Sequence, residues 1–326
     1  MIGEEPDQMQ TQLESVLREV EKVIVGKRAV IEKILMALLA EGHVLLEDVP
    51  GVGKTTLAVA LSRAMDLRFQ RVQFTPDVLP SDLTGFSMYD KRSGDFLYRS
   101  GALIRANLLL GDEINRAPSK TQSALLEAME ERQVTVDGET HPLENPFMVI
   151  ATENNVGTAG TQSLPFAELD RFLVRLSLGY PDYEAQMTML RDRRTENPLD
   201  SVACVMARDE LIAMQRETRN VTVRDAILDY ITRLSMASRE HKAVQVGISP
   251  RGALFLSRMS AARACLEGRD YVTGGDVQAV LKDVCAHRVL LKENVREAGV
   301  EQVLDELVKT TDNPDRRHLF QGMKNA

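Results

Sequence analysis

Short, nearly continuous apolar runs recur through the first half of the chain, and each ends in a polar turn. The clearest runs span residues 44–46, 108–110 and 147–152. Runs of this kind are typical of strands that are buried on both faces of a parallel sheet. Between these runs, and throughout the second half of the chain, apolar residues recur at helical spacing. The pattern therefore predicts an α/β domain over residues 1–181, with a parallel sheet flanked by helices, and a smaller all-α domain over residues 182–326.

Two other segments alternate apolar and polar residues around a turn, which predicts β-hairpins. The first hairpin is expected at about residues 87–98, and the second at about residues 133–141 around an Asp-Gly turn. The first hairpin carries several cations, which indicate either a working surface or an ordinary solvated loop. These cations are Lys91, Arg92 and Arg99.

The first apolar run leads directly into a glycine-rich loop that opens a helix. Strand, glycine loop and helix form the context in which a GxxxxGK[ST] pattern binds phosphate, because backbone N–H groups and the positive helix end face the anion. We expect Lys54 to reach the β- and γ-phosphates and the Thr55 hydroxyl to ligate Mg²⁺. The residues expected to hold the nucleotide are Pro50, Gly51, Val52, Gly53, Lys54, Thr55 and Thr56.

One position in the loop departs from the phosphate-binding pattern. Asp48 stands where the motif has its first glycine. A carboxylate beside phosphates is unfavourable unless it points away or caps the loop. The alternative is a plain strand–turn–helix that happens to contain Gly-Lys-Thr, and a second motif downstream argues against it.

That second motif is the apolar run at residues 108–110, which ends in two adjacent carboxylates, Asp112 and Glu113. Ligands bind at the carboxyl ends of strands in open α/β sheets. We expect Asp112 to hold Mg²⁺ directly or through water, and Glu113 to orient and deprotonate the attacking water. The position of this motif, about 60 residues after the glycine loop, strengthens the prediction of a catalytic role.

Residues outside the two motifs complete the candidate site. In many P-loop ATPases the segment before the first helix of the domain brackets the adenine, and Val25 and Gly26 are candidates for that role. Asn154 follows the third apolar run, where an amide could contact the γ-phosphate or position water, although asparagine is also common in turns. Arg251 lies in the first turn of a helix capped by Ser249-Pro250, a poor place for a cation unless an anion is near.

Composition narrows the class of protein. The formal net charge of −8 argues against strong non-specific DNA binding, although it leaves a local basic lining open. The absence of Trp and an aromatic content of 5% argue against base-stacking platforms. No apolar run approaches the roughly 18–20 residues of a membrane span, and the acidic N-terminus is not a signal peptide. Three widely spaced cysteines predict buried thiols in a reducing, cytoplasmic setting. These are Cys204, Cys265 and Cys285.

Together these motifs resemble the AAA+ ATPases and, within them, the MoxR family. The resemblance runs from about residue 23 to residue 281. Gly53-Lys54-Thr55 looks like Walker A, and residues 108–113 look like Walker B. Residues 73–85 (QFTPDVLPSDLTG) and 112–117 (DEINRA) are similar to MoxR hallmark segments, which are more specific than Walker A alone.

The resemblance also implies roles for residues that the motifs alone leave undecided. Asn154 takes the sensor 1 position, Arg251 takes the sensor 2 position, and Arg171 resembles the arginine finger. The hairpin at 87–98 corresponds to the helix-2 insert, and that at 133–141 to the pre-sensor-1 hairpin. Two positions depart from the family: Asn155 replaces a usual proline, and Phe166 stands where an acidic residue often precedes the finger.

By the same resemblance, the chain is expected to form a ring, usually hexameric, with ATP and Mg²⁺ bound between subunits. Such a ring acts like a chaperone on a protein client, often one with a von Willebrand factor A domain. Two alternatives remain open: a nucleic-acid motor or loader that uses the inserted hairpins, and a nucleotide-gated binding module with negligible turnover.

Overall fold

The computed structural model describes residues 5–153, 164–192, 197–293 and 299–315. Its strands, in chain order, are β1 (Val44–Glu47), β2 (Phe69–Gln73), β3 (Gly85–Asp90), β4 (Asp95–Ser100), β5 (Leu108–Asp112), β6 (Gln133–Val136), β7 (Glu139–Pro142), β8 (Met148–Glu153), β9 (Val174–Leu176), β10 (Val244–Val246) and β11 (Leu290–Leu291). Its helices are α1 (Glu5–Glu21), α2 (Arg28–Leu39), α3 (Lys54–Ala64), α4 (Pro80–Thr84), α5 (Ser119–Glu131), α6 (Phe166–Leu169), α7 (Tyr183–Asp192), α8 (Arg208–Asn220), α9 (Asp225–Glu240), α10 (Pro250–Leu266), α11 (Gly274–Cys285) and α12 (Val300–Thr310).

A five-stranded parallel sheet in the order β2-β5-β8-β1-β9 forms the centre of the first domain. Both faces of the sheet are buried, as the apolar runs predict. In β5, Leu108 and Leu110 enter one apolar cluster together with α1, α2 and the C-terminal helices. Leu109, between them, enters a second cluster with α5 and Phe74. The alternation of side chains along each strand therefore supplies two layers of core from one continuous run.

Both predicted hairpins are present. Strands β3 and β4 pair antiparallel from Gly85↔Ser100 to Asp90↔Asp95, and β6 pairs with β7 from Gln133↔Pro142 to Val136↔Glu139. The two hairpins touch, because the Tyr98 ring stacks on His141 with ring centroids 3.9 Å apart. The tip of the β3–β4 hairpin is exposed on both of its faces.

The C-terminal part is helical, as predicted, apart from a short antiparallel ladder between β10 and β11. Helix α10 packs on α1 and α2 of the first domain as well as on α8, α9 and α11. Ser249 caps α10 by accepting a hydrogen bond from Gly252 N, with Pro250 at the first helical position. The exact boundary at residues 181/182 stays a prediction.

The cysteines differ in part from the expectation of buried thiols. All three are free, and Cys265 and Cys285 are buried, but Cys204 is exposed. Burial raises the pKa of the Cys285 thiol to about 12. Across the described ranges, no helix combines the length and the apolarity that a membrane crossing requires.

Candidate functional site

The glycine loop lies between the carboxyl end of β1 and the first turn of α3. Gly51 and Gly53 have φ angles of +86° and +99°, a left-handed backbone that favours glycine. Gly53 is also the N-cap of α3. The first amides of that helix have no intrahelical partners, and Gly53 has no side chain to cover them, so they can face an anion in the loop. The geometry is that of an anion-binding helix start.

Lys54 lies inside this loop and is 7% exposed. Its Nζ donates a hydrogen bond to the backbone oxygen of Asp48 at 3.2 Å. Burial lowers the pKa of Lys54, while the nearby carboxylates of Asp48, Asp112 and Glu113 act in the opposite direction. The two sequence motifs therefore converge on one place at the carboxyl edge of the sheet.

The Asp48 carboxylate turns away from the loop interior. It accepts hydrogen bonds from Ser177 Oγ at 2.7 Å, Leu178 N at 2.7 Å and Gly179 N at 2.9 Å. These three residues directly follow β9 and lead into the C-terminal part of the chain. Asp48 thus ties the phosphate loop to the connecting segment, which explains how a carboxylate is tolerated at the first position of the motif.

Asp112 and Glu113 are held in place by Thr152 on the neighbouring strand. Thr152 Oγ1 donates to Asp112 Oδ1 at 2.7 Å and accepts from Glu113 N at 2.9 Å. Arg71 on β2 donates to Asp112 Oδ2 at 2.8 Å, and Arg116 donates to Glu113 Oε2 at 2.6 Å. The sequence motifs did not single out Thr152, Arg71 or Arg116 individually. Parallel pairing of β2, β5 and β8 is what aligns Arg71 and Thr152 with the end of β5.

The segment proposed to bracket adenine lies beside the loop. Ile24 Cδ1 is 3.5 Å from the position that a Cβ on Gly53 would occupy, and a Cβ on Gly26, which has φ +73°, would lie 3.4 Å from Ala185 Cβ at the start of α7. Val25 is half-buried between these contacts. Val25 and Gly26 are thus placed between the phosphate loop and α7. Asn154 lies outside the described residues, so its predicted contact stays a prediction.

Arg171 and Arg251 lie at the opposite edge of the sheet from the glycine loop. Leu173 N, just before β9, donates to His43 O, just before β1, at 2.8 Å, which marks the amino edge of these parallel strands. Arg171 Nε donates to Glu130 Oε2 at 3.1 Å, and Arg251 donates to the other oxygen of the same carboxylate. Glu130 therefore pairs with both Arg171, the predicted arginine finger, and Arg251, the predicted sensor 2 residue.

A pocket of ≈ 290 Å³ surrounds this arginine pair. Arg132 and Arg258 join the pair, so the pocket is strongly cationic, and Glu41 and Glu130 are its acidic members. At about 3.3 Å per residue, the strand path from His43 to Asp48 covers roughly 16 Å. The arginines therefore do not reach the glycine loop of their own chain in this arrangement.

Comparison with known proteins agrees with the fold. A family model described as "ATPase family associated with various cellular activities (AAA)" matches residues 43–174, and an AAA lid domain model matches residues 236–308. The uncharacterized protein YeaC of Bacillus subtilis is 44% identical over 92% of this chain and 94% of that protein. Chaperone MoxR1 of Mycobacterium tuberculosis is 37% identical over 93% of this chain and 82% of that protein.

The chain belongs to the MoxR family of AAA+ ATPases. A solved structure of a candidate ATPase from Cytophaga hutchinsonii has a TM-score of 0.88 and 36% identity, and the match covers 95% of this chain and 97% of that one. The protein is therefore a nucleotide-binding ATPase of the chaperone-like MoxR kind. Family membership confirms the predicted core with its helical lid.

Proposed function

We propose that this MoxR-family ATPase works as a ring, hexameric as is usual in the family, in which each ATP is hydrolysed between two subunits. The observation that carries the proposal is the placement of Arg171 and Arg251 on one carboxylate at the amino edge of the sheet. The glycine loop lies at the carboxyl edge. A head-to-tail contact between copies brings the two edges together, and such contacts close into rings when the rotation permits.

Within one subunit, the loop amides and Lys54 hold the phosphates of ATP. The donor set fits Mg²⁺, because this ion takes one or two protein oxygens together with phosphate oxygens and water, and Thr55 and Asp112 offer a hydroxyl and a carboxylate at the loop. Bound Mg²⁺ would neutralise charge on the phosphates. Among the described residues no group of three or more His, Cys, Asp and Glu side chains could hold a metal ion.

Glu113 is the proposed base. Its backbone is fixed by Thr152 and its carboxylate by Arg116, so it can orient water toward the γ-phosphate and accept a proton from it. Asn154 remains the proposed sensor 1 residue, and Val25 and Gly26 remain the proposed adenine bracket. Arg171 and Arg251 of the neighbouring subunit would leave Glu130 and contact the γ-phosphate, where added cations stabilise the transition state.

The client is proposed to be a protein, such as one with a von Willebrand factor A domain, met in the cytoplasm. The β3–β4 hairpin supports a protein client, because it exposes large apolar side chains on both faces, and exposed apolar patches mark protein contacts. These side chains are Phe86, Met88, Tyr89, Phe96 and Leu97. For a nucleic-acid client, the three cations of this hairpin would have to contribute more to binding than its exposed apolar side chains.

Phosphate release and nucleotide binding test the proposed hydrolytic roles. Lys54→Ala should lose both, whereas Glu113→Gln should bind ATP with a Kd near that of the wild type and lose hydrolysis by roughly 100-fold or more. Sedimentation with ATP should show Glu113→Gln as a closed oligomer. Wild-type turnover by Glu113→Gln, or a monomer at every nucleotide and protein concentration, contradicts the proposal. Stimulation by DNA with a steep salt dependence would favour the nucleic-acid alternative.

A further inference from the structure

Arg288 is among the largest fully buried side chains of the described residues, with 2% of its surface exposed. It follows α11 but reaches into the first domain, where its Nε donates to Asp170 Oδ1 at 2.8 Å and its NH2 to Asp170 O at 2.9 Å. Further donations go to the backbone oxygens of Phe172, Leu173 and Val284. One guanidinium therefore holds the chain on both sides of Arg171.

Asp170 carries the connection on to the lid helix α10. Its two carboxylate oxygens each lie 3.0 Å from Ser249 Oγ, which donates to them. The same hydroxyl accepts from Gly252 N at 2.9 Å and so caps α10. Arg251 lies between Ser249 and Gly252 in sequence, and Arg171 directly follows Asp170. The backbones that carry the two cations are thus joined through a single carboxylate.

Gly252 lets Arg288 pass close to α10. A Cβ on Gly252 would lie 2.7 Å from Arg288 Cδ, closer than van der Waals contact permits. The far end of Arg288 is fixed by its hydrogen bonds and by the Phe255 ring, whose centroid is 5.1 Å from the guanidinium carbon. The side chain therefore cannot move aside without losing some of these contacts.

We propose that Arg288, Asp170 and Ser249 are positioning residues for hydrolysis, because they fix the spacing between Arg171 and Arg251 before either cation meets a neighbour's ATP. The inference rests on the proposed action of those cations in trans. Both are partly exposed side chains, and their shared ion pair with Glu130 is of the exposed kind that contributes little. The buried cluster beneath them is the part that can set the geometry, and errors of about 1 Å in such geometry cost roughly 100-fold in rate.

Two variants disturb the cluster while leaving the cations and the glycine loop intact. Asp170→Asn keeps the side chain's size but removes the charge that faces Arg288. Gly252→Ala keeps every polar group and pushes a Cβ against Arg288. Asp276→Asn is the matched control, because Asp276 is 3% exposed and pairs with Arg269 at 2.6 Å in the same lid, away from both cations.

Asp170→Asn and Gly252→Ala should each lower kcat for ATP by roughly 10- to 100-fold, with ATP binding changed less than about twofold. Asp276→Asn should lose about as much thermal stability as the cluster variants but keep kcat within about twofold of the wild type. Equal kcat for the cluster variants and the control would overturn the inference. If Asp170→Asn does not fold, Gly252→Ala alone decides the result.

Mixed rings separate positioning from general damage. Lys54→Ala subunits have intact cations, so mixing them with Asp170→Asn subunits, whose loops are intact, should restore hydrolysis, as it should for Arg171→Ala subunits. Restoration for Arg171→Ala without restoration for Asp170→Asn overturns the present inference and leaves the proposed function standing. Restoration for neither variant overturns both.

Discussion

At the scale of single residues, Asp48 shows how a side chain outside the chemistry can shape the nucleotide site. It replaces the first glycine of the phosphate-binding pattern, yet its carboxylate serves three donors in the segment after β9. These hydrogen bonds join the glycine loop to the segment that leads from β9 into the helical lid. The sequence pattern could only mark the position as unusual, because the donors lie about 130 residues away.

Restoring the consensus glycine should therefore weaken the protein. Asp48→Gly leaves the buried Leu178 N and the half-buried Gly179 N without their acceptor, so we expect the free energy of unfolding to fall by about 2–4 kcal/mol. Urea unfolding followed by circular dichroism measures this change. The control is Asp209→Ala, at an exposed carboxylate, which should change the free energy of unfolding by less than about 0.5 kcal/mol. Alanine replaces glycine there because glycine would itself weaken the helix. An Asp48→Gly protein as stable as the wild type contradicts the assigned role.

Glu153, at the carboxyl end of β8, makes the stability of the folded protein depend on pH. Burial raises the pKa of Glu153, with Leu164 N and Arg175 acting against that shift and Glu47 acting with it. Because the folded state favours the neutral carboxyl, the stability linked to Glu153 is full below its ordinary pKa and declines as the pH rises through the raised pKa.

Glu153→Gln should accordingly raise the melting temperature at about pH 8, and the gain should shrink toward about pH 4. The amide oxygen can still accept the hydrogen bond from Leu164 N, so the local structure is kept. Thermal melts of both proteins across this range test the sign. A gain that grows as the pH falls would show that the carboxylate, not the acid, is the favoured form.

At the scale of elements, the inserted β3–β4 hairpin divides its side chains between packing and exposure. Tyr98 stacks on His141 and donates to Thr84 O, whereas Phe96, two residues earlier, is 73% exposed. The two aromatics thus share one strand but differ in what they contact. The base of the hairpin is fixed to β6–β7, and its tip is exposed.

Tyr98→Ala should lower the free energy of unfolding by about 1–3 kcal/mol, since it removes a stacked ring and a hydrogen bond. Phe96→Ser removes only an edge contact with the exposed Tyr89 ring, whose centroid is 5.5 Å away, so it should lower the free energy of unfolding by about 1 kcal/mol or less. Urea unfolding compares the two directly. An equal loss for both variants would mean that the tip of the hairpin is packed in solution.

The elements that sequence reasoning predicted are those with a long or repeated pattern. The buried runs of β1, β5 and β8 and both hairpins are confirmed, because their periodicity extends over several residues. The β10–β11 ladder, of three and two residues, is too short to leave such a pattern. The Arg288–Asp170 contact joins residues 118 apart, and a single sequence carries no signal for pairing over that distance.

At the scale of the whole molecule, the fold separates two sets of charged groups by the length of its central strands. Lys54, Asp112 and Glu113 gather at the carboxyl edge, and Arg171 and Arg251 gather at the amino edge. The motifs and the family resemblance predicted both sets from the sequence, but not their separation, which follows from the parallel order of the sheet. In the proposed ring, this separation makes hydrolysis depend on a neighbouring copy.

The most direct measurement is a structure of the Glu113→Gln protein assembled with ATP and Mg²⁺. We predict a closed ring in which the guanidinium groups of Arg171 and Arg251 lie about 2.7–2.9 Å from γ-phosphate oxygens held by the neighbour's glycine loop. Glu130 would then have released both cations. A ring in which Arg171 remains on Glu130, or in which either arginine contacts the ATP of its own subunit, would contradict the account.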